Sequence, residues 1–400
     1  MNDIIFQKQN GGMGRTAANE DNVSGLIMSA DGKLTGAELS EFDEVDSRLY
    51  IVKLTYYEQL GNTYLITPSG EPADDADYAK NAIDYHVAEF FRLSPTGILF
   101  LAILLEGNVA AVDITMLQNY AEGRIRQAGI LTPAIAAVAD YQAAAALLET
   151  EHKPLSIIFT IDGTKTTVAS YVAANANVLA GRCNVSELIG CDLYPALLAR
   201  LGVHPGLFAP YGCIGALLGA VSKAAVNESV AWVQKFPLSL LMPGLTSGDL
   251  VKEIPTGDLD IINGNRYIFV RTYPGDANNY FNDSFTYDVG TSDYAFIENV
   301  RTMDKAMRNI RSNLLPFLNA PLYVNASTGR LRADTVAVLE TVAGRALEDM
   351  EKAGELSGYV VEIDPEQDVL ATSLVEIVIR NVPVGVMRKV LVKIGFTTKI

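Results

Sequence analysis

Residues 374–400 read LVEIVIRNVPVGVMRKVLVKIGFTTKI, and this stretch limits the fold more than any other. Two β-prone runs flank the turn signal Pro383-Val384-Gly385. Val375, Ile377 and Ile379 alternate with Glu376 and Arg380. Val390, Val392, Ile394 and Phe396 alternate with Lys389, Leu391 and Lys393. Period-2 alternation of branched and aromatic residues marks a half-buried strand. A terminus this apolar has to pair with a sheet, since termini without such a tie fray. After Glu376 every charged side chain is basic (Arg380, Arg388, Lys389, Lys393, Lys399), on a chain of net charge -16. Two readings are open at this point. Either the last strand finishes its own domain, with lysines guarding the edge, or a basic arm docks on the acidic body of a second copy.

A length of 400 residues predicts two or three domains. The acidic balance speaks against nucleic-acid binding, which needs cations to neutralise phosphates. Cys183, Cys191 and Cys213 are odd in number and lack CxxC spacing, which suggests neither a disulfide framework nor a metal site. The first residues, MNDIIFQKQNGG, lack the pattern of a signal peptide. The apolar runs 97–105 and 212–221 are too short to cross a bilayer, so no membrane partner is expected.

Along the chain, Ile4, Ile5 and Phe6 followed by Gly11, Gly12 and Gly14 read as an N-terminal arm with a hinge, residues 1–18. Residues 19–264 read as an α/β body with outer parts. Its expected strands are 24–29, 49–55, 98–104, 155–161 and 185–189, and its expected helices lie around 84–92, 141–150 and 213–226. Gly215 and Gly219 on the last of these helices permit close packing. Asp113 is the expected cap of a helix with stripe Ile114, Leu117, Ala121, Ile125 and Ala128. Residues 242–264, rich in Gly, Pro and Asp, read as a linker or long loop.

Residues 265–380 read as an α+β domain. Strands are expected at 266–272 and 284–288 around an Asn-rich loop, 274–283. A long helix follows, with stripe Phe296, Val300, Met303, Met307, Ile310, Leu314 and Phe317. A second helix, 334–353, stops at Gly354. Residues 381–400 form a C-terminal arm. The fold class is α/β, with mixed sheets flanked by helices and extended β-arms at both ends.

Chemistry is sparse. Gly11-Gly12-Met13-Gly14 is neither a dinucleotide fingerprint nor a P-loop. Asp162-Gly163-Thr164-Lys165-Thr166-Thr167 joins a strand to a helix start, where an anion can bind. It reads equally as a tight turn with Thr164 as the helix cap. His86, His152 and His204 are scattered and suggest no nucleophile–base pair. No catalytic, cofactor-binding or metal-binding residue is assigned.

Several stretches together resemble the sheath subunits of contractile phage tails and related contractile injection systems, especially a branch carrying only an uncharacterised-domain label. They are Gly11-Gly12-Met13-Gly14-Arg15 with Val23-Ser24-Gly25-Leu26; Tyr85-His86-Val87-Ala88-Glu89-Phe90-Phe91-Arg92; and Ala121-Glu122-Gly123-Arg124-Ile125-Arg126-Gln127. The set continues with Gly215-Ala216-Leu217-Leu218-Gly219-Ala220-Val221-Ser222 and Val226-Asn227-Glu228-Ser229. In the C-terminal part it has Asn299-Val300-Arg301-Thr302 and Gly354-Glu355-Leu356-Ser357-Gly358. The resemblance implies a homo-oligomeric helical sheath around an inner tail tube, with baseplate and tail-terminator partners. It implies contraction without nucleotide or cofactor, location in a virion tail or contractile particle, and assembly in the bacterial cytoplasm.

It also implies arms exchanged between subunits. The N-terminal arm would use Ile4, Ile5, Phe6, Gly11, Gly12 and Gly14. The C-terminal arm would use Pro383, Gly385, Arg388, Lys389, Val390, Val392, Lys393, Ile394 and Phe396. The competing readings are a tube or baseplate protein of a virion, and an α/β enzyme with a phosphate-type ligand near Asp162.

Overall fold

Continuous apolar runs place the centre of the molecule. A computed structural model of the chain describes residues 20–61, 75–134, 138–161, 166–174, 181, 183–194 and 211–396. Seven strands form one sheet: β1 (Val23–Ser29), β2 (Asp43–Asp46), β3 (Leu49–Leu54), β4 (Ile98–Leu104), β5 (Gln127–Thr132), β6 (Ser156–Ile161) and β7 (Val185–Glu187). Their order is β2-β3-β4-β1-β5-β6-β7. The strands from β4 to β7 are parallel, with Val23 opposite Ile98 and Ser24 opposite Gln127. β3 runs antiparallel to β4, and β2 antiparallel to β3. Parallel strands covered on both faces read as unbroken apolar runs, as ILFLAIL does in β4.

Strand parity divides the core. Leu26, Met28, Leu99, Leu101 and Ile103 face helices α1 (Asp75–Leu93) and α5 (Ile214–Lys223). Ile27, Phe100, Ala102, Ile130 and Phe159 face α2 (Ala111–Tyr120) and α3 (Val138–Thr150). Helix α4 (Val168–Ala173) lies between β6 and β7 in sequence. Burying one Leu or Phe in such a layer contributes roughly 1.5–3 kcal/mol. Helices α1 and α5 touch through their backbones. A Cβ added at Gly215 would sit 2.3 Å from His86 O, and one at Gly219 2.7 Å from Phe90 O.

Several local expectations need correction. Asp113 is the third residue of α2 rather than its cap. Its carboxylate accepts from Ala110 N (2.8 Å) and from Arg48 Nη2 (2.9 Å). Ile125 and Ala128 are buried, but Ala128 lies on β5. Residues 242–264 are no linker. They hold β10 (Pro243–Leu245) and helix α6 (Thr256–Gly264), and Leu245, Val251 and Ile262 pack with Tyr171 and Phe269. β10 pairs with β8 (Gly190–Asp192), which pairs with β9 (Tyr211–Gly212).

The Asn-rich loop expected over 274–283 contains β12 (Asn279–Phe281), paired with β11 (Val270–Thr272). Its asparagines replace backbone partners. Asn279 Nδ2 donates to Leu240 O (2.7 Å), and Phe269 N donates to Asn282 Oδ1 (2.7 Å). The strand expected at 284–288 is reduced to one bridge, Phe285 with Phe296. Core packing crosses residues 264 and 265, since Ile268, Val270, Phe281 and Phe285 join the layer of α1 and α5.

The C-terminal part holds α7 (Ile297–Leu314), α8 (Ala333–Lys352), and the antiparallel pair β13 (Leu356–Glu362) and β14 (Val378–Pro383). Helix α8 buries Leu339, Ala343, Ala346, Leu347 and Met350 and ends before Gly354, whose φ is +76°.

Candidate assembly surface

Helix α7 buries Val300 of the expected apolar stripe and packs Phe296 and Ile310 on neighbouring core, but much of its buried face is charged. Met307 and Phe317 stay exposed, whereas Glu298, Arg301, Asp304 and Lys305 are buried. Charges at this spacing ordinarily read as a solvated face. Here they hold the chain entering from the N-terminal side. Lys305 Nζ lies 2.7 Å from Asp21 and 2.5 Å from Glu355. Arg308 Nη2 donates to Asp21 Oδ1 at 2.8 Å, and Arg301 Nη2 to Asp21 O at 3.3 Å. Next to it, Arg124 forks onto Glu20 and holds that carboxyl below its ordinary value. The chain is therefore fixed at Glu20 and Asp21.

Burial has a cost within this network. It lowers Arg301 to about 10 and raises Asp304 to about 7. A carboxyl raised by folding contributes stability that is complete below its unfolded value, ~4. That contribution is lost as pH rises through the folded value. Asp304→Asn stays neutral throughout. Its melting temperature should exceed that of the parent by a margin that grows from pH 5 to pH 8, measured by thermal denaturation. A constant margin would contradict the assignment.

The β13–β14 pair packs one face on α7 and α8 through Tyr359, Val361 and Ile379, against Ala306, Leu347 and Met350. Val375 and Ile377 pack on the neighbouring cluster of Leu331, Leu339 and Ile363. The inward set Val375, Ile377 and Ile379 is thus the one that alternation predicts. Arg380 points out to Glu362 at 2.7 Å. The other face is bare, with Val360, Val378 and Val382 exposed. Among the described residues these two strands pair only with each other. A two-stranded sheet is marginal alone, and its open edges are templates for further strands.

β14 runs to Pro383, paired with Leu356, so the free arm starts at Val384 rather than at 381. Gly385 has open space around it, where an added Cβ would meet nothing. Residues 384–396 have no strand pairing. Val390, Leu391, Val392, Ile394 and Phe396 are all exposed, Ile394 to 94%. Lys389 and Lys393 are exposed beside them. Arg388 alone turns back. It lies on its own body, where Nε donates to both oxygens of Asp283 at 3.1 Å and Nη2 to Glu298. Its Cζ stands 3.4 Å from the centre of the Phe296 ring. The N-terminal arm residues Ile4, Ile5, Phe6, Gly11, Gly12 and Gly14 lie outside the described residues.

Elsewhere, the Asp162–Lys165 part of the anion-site candidate also lies outside them. Helix α4 is capped by Thr167, whose Oγ1 accepts from Ser170 N at 3.2 Å. His86 is wholly buried between Tyr85 and Tyr211, neither ring nitrogen has a partner among the described residues, and burial lowers its pKa to about 3. Burial pushes the Cys191 and Cys213 thiols well up, away from the reactive thiolate. No group of three metal-type ligands converges among the described residues. No helix there is long and apolar enough to cross a membrane.

The sequence matches the N-terminal domain model of DUF2586 over residues 1–285 and the C-terminal domain model of DUF2586 over residues 293–400. The chain belongs to the DUF2586 family. The two DUF2586 models part just before α7. No curated protein matches the sequence. In fold, this DUF2586 chain is similar to the helical sheath of the anti-feeding prophage in its contracted state. The TM-score is 0.62 at 15% identity, over 99% of both chains. It is similar to a chain of the six-fold symmetrised baseplate of the same particle, with TM-score 0.60 and 14% identity over 100% of this chain and 99% of that one. It is also similar to the contracted sheath complex, PVC, of an extracellular contractile injection system. There the TM-score is 0.60 at 11% identity, over 100% of this chain and 98% of that one.

Proposed function

We propose that this protein is the structural subunit of a contractile sheath. It polymerises helically around an inner tube and contracts to drive that tube through a target envelope. The observation that carries this reading is the end-to-end likeness in fold to sheath chains, with neither chain leaving a domain unmatched. The bare β13–β14 pair and the unpaired arm support it, because they supply a strand and a strand acceptor on one molecule. In the assembly, residues 389–396 of one copy, beyond the seated Arg388, and Ile4, Ile5 and Phe6 of another, complete the β13–β14 sheet of a neighbour. Main-chain bonds made this way tolerate body rotation if flexible segments join arm to body. Two different arms make head-to-tail contacts, which build open helices. The inner tube, baseplate and tail terminator are the further partners, and the setting is a virion tail or contractile particle.

Negative-stain electron microscopy of the purified full chain tests this. Wide hollow tubes are expected. Only narrow tubes or discrete rings would favour a tube or baseplate protein. Charge gives a second test. Arg388 is engaged at home, which leaves Lys389 and Lys393 to meet the acidic neighbour. Reversing both to Glu should lower tube yield severalfold at ~0.01 M salt and much less at ~1 M, as the Debye length shrinks from ~30 to ~3 Å. An identical loss at both salts would remove the electrostatic contribution.

A further inference from the structure

Asp21 and Arg388, near the two ends of the described chain, are both held by one helix. Glu298, in the first turn of α7, pairs with Arg388. Lys305 and Arg308, about two turns further on, pair with Asp21. We propose that α7 clasps the roots of both arms, and that Arg388 sets the register in which the C-terminal arm enters a neighbouring copy. This rests on the sheath reading for its partner, a second copy of the chain; the clasp itself is a property of one subunit.

The seat of Arg388 is built for a guanidinium. Asp283 takes Nε with two oxygens, Ser284 Oγ lies 3.5 Å from Nη2, Glu298 pairs with Nη2, and the Phe296 ring lies under the plane. Arg266 stacks beside it, its Cζ 4.7 Å from the Phe285 ring and 5.4 Å from the Phe296 ring. A planar fork over an aromatic face is a site that Lys cannot fill equally well. The Glu298 side chain is 2% exposed, so losing its cation would leave a buried charge held only by the Ser284 hydroxyl.

A fixed root matters because a donated strand can slip. A slip of one residue would turn Val390, Val392, Ile394 and Phe396 to the wrong face. With Arg388 seated, the alternation beyond it has a fixed origin. The eight residues to Phe396 then reach about 26 Å at ~3.3 Å per residue.

The test uses Asp283→Asn/Glu298→Gln in the full chain, which keeps every arm residue. Trypsin needs an extended, free side chain. On the unassembled parent, cleavage after Lys393 should be at least tenfold faster than after Arg388. In the double variant the two rates should converge. Equal rates in the parent would overturn the clasp. The same variant should show about tenfold lower tube yield, or tubes of irregular diameter. Parental yield and regularity would overturn the role in register. A parent that forms no tubes would sink the sheath reading and the role in exchange with it, while the cleavage pattern still decides the clasp. Arg388→Lys should recover only part of the yield; full recovery would count against the guanidinium-specific seat.

Discussion

Removing residues 389–400 is expected to leave a chain that melts like the full-length protein and forms no tubes. The described part of that segment buries almost nothing in its own subunit, with Leu391 77% and Ile394 94% exposed. Surface changes of this kind alter stability by about 0.5 kcal/mol or less. Arg388 stays in place, so Asp283 and Glu298 keep their cation. The loss falls wholly on association, because a run of alternating apolar residues loses its pairing partner along with its main-chain bonds. Thermal denaturation beside negative-stain microscopy separates the two effects. Long tubes from the truncated chain would refute strand donation by this arm. A large drop in melting temperature would show that the arm folds back on its own body instead.

Gly215→Val is expected to cost the most among single changes in the body. The added Cβ would meet His86 O at 2.3 Å and His86 Cα at 2.8 Å, so backbone rather than side chain has to yield. Overpacking against backbone costs about 3 kcal/mol or more; with an unfolding entropy of about 2.1 cal/mol/K per residue over 400 residues, that lowers the melting temperature by about 4 °C or more. Gly257→Val is the control. It lies at the start of α6, where an added Cβ meets nothing within 4 Å. Its shift should stay within about 1 °C. Similar shifts for the two variants would mean that α1 and α5 do not approach this closely.

The parts of the fold legible in the sequence are those where burial follows a simple period. β4 spans residues 98–104 as its apolar run predicts, and α8 ends before Gly354 as its stop signal predicts. Gly215 and Gly219 mark close helix packing because nothing larger fits there. Two of the failures share one physical cause: polar side chains used inside. Asn279 and Asn282 look like loop residues, yet they substitute for backbone in a buried strand pair. Arg301, Asp304 and Lys305 look like a solvated face, yet they form the buried side of α7. Their partners, Asp21 and Glu355, are remote in sequence, so no local pattern reveals them. The candidate site is legible in part. The alternation in residues 390–396 announces a strand, and the chain's own described residues offer it no partner. The turning back of Arg388 onto Asp283 has no sequence signal, since a lone Arg in a basic tail looks like every other.

One mechanical result follows from the position of α7. A pull on either terminus enters the molecule at a residue held by this helix, Asp21 through Lys305 and Arg308, and Arg388 through Glu298. The helix has 18 residues and spans about 27 Å at ~1.5 Å per residue. Tension between Asp21 and Arg388 then has a route along that rod, beside the covalent chain, which runs from Asp21 into β1 at the centre of the seven-stranded sheet. The rod takes a share of the strain that β1 would otherwise carry alone.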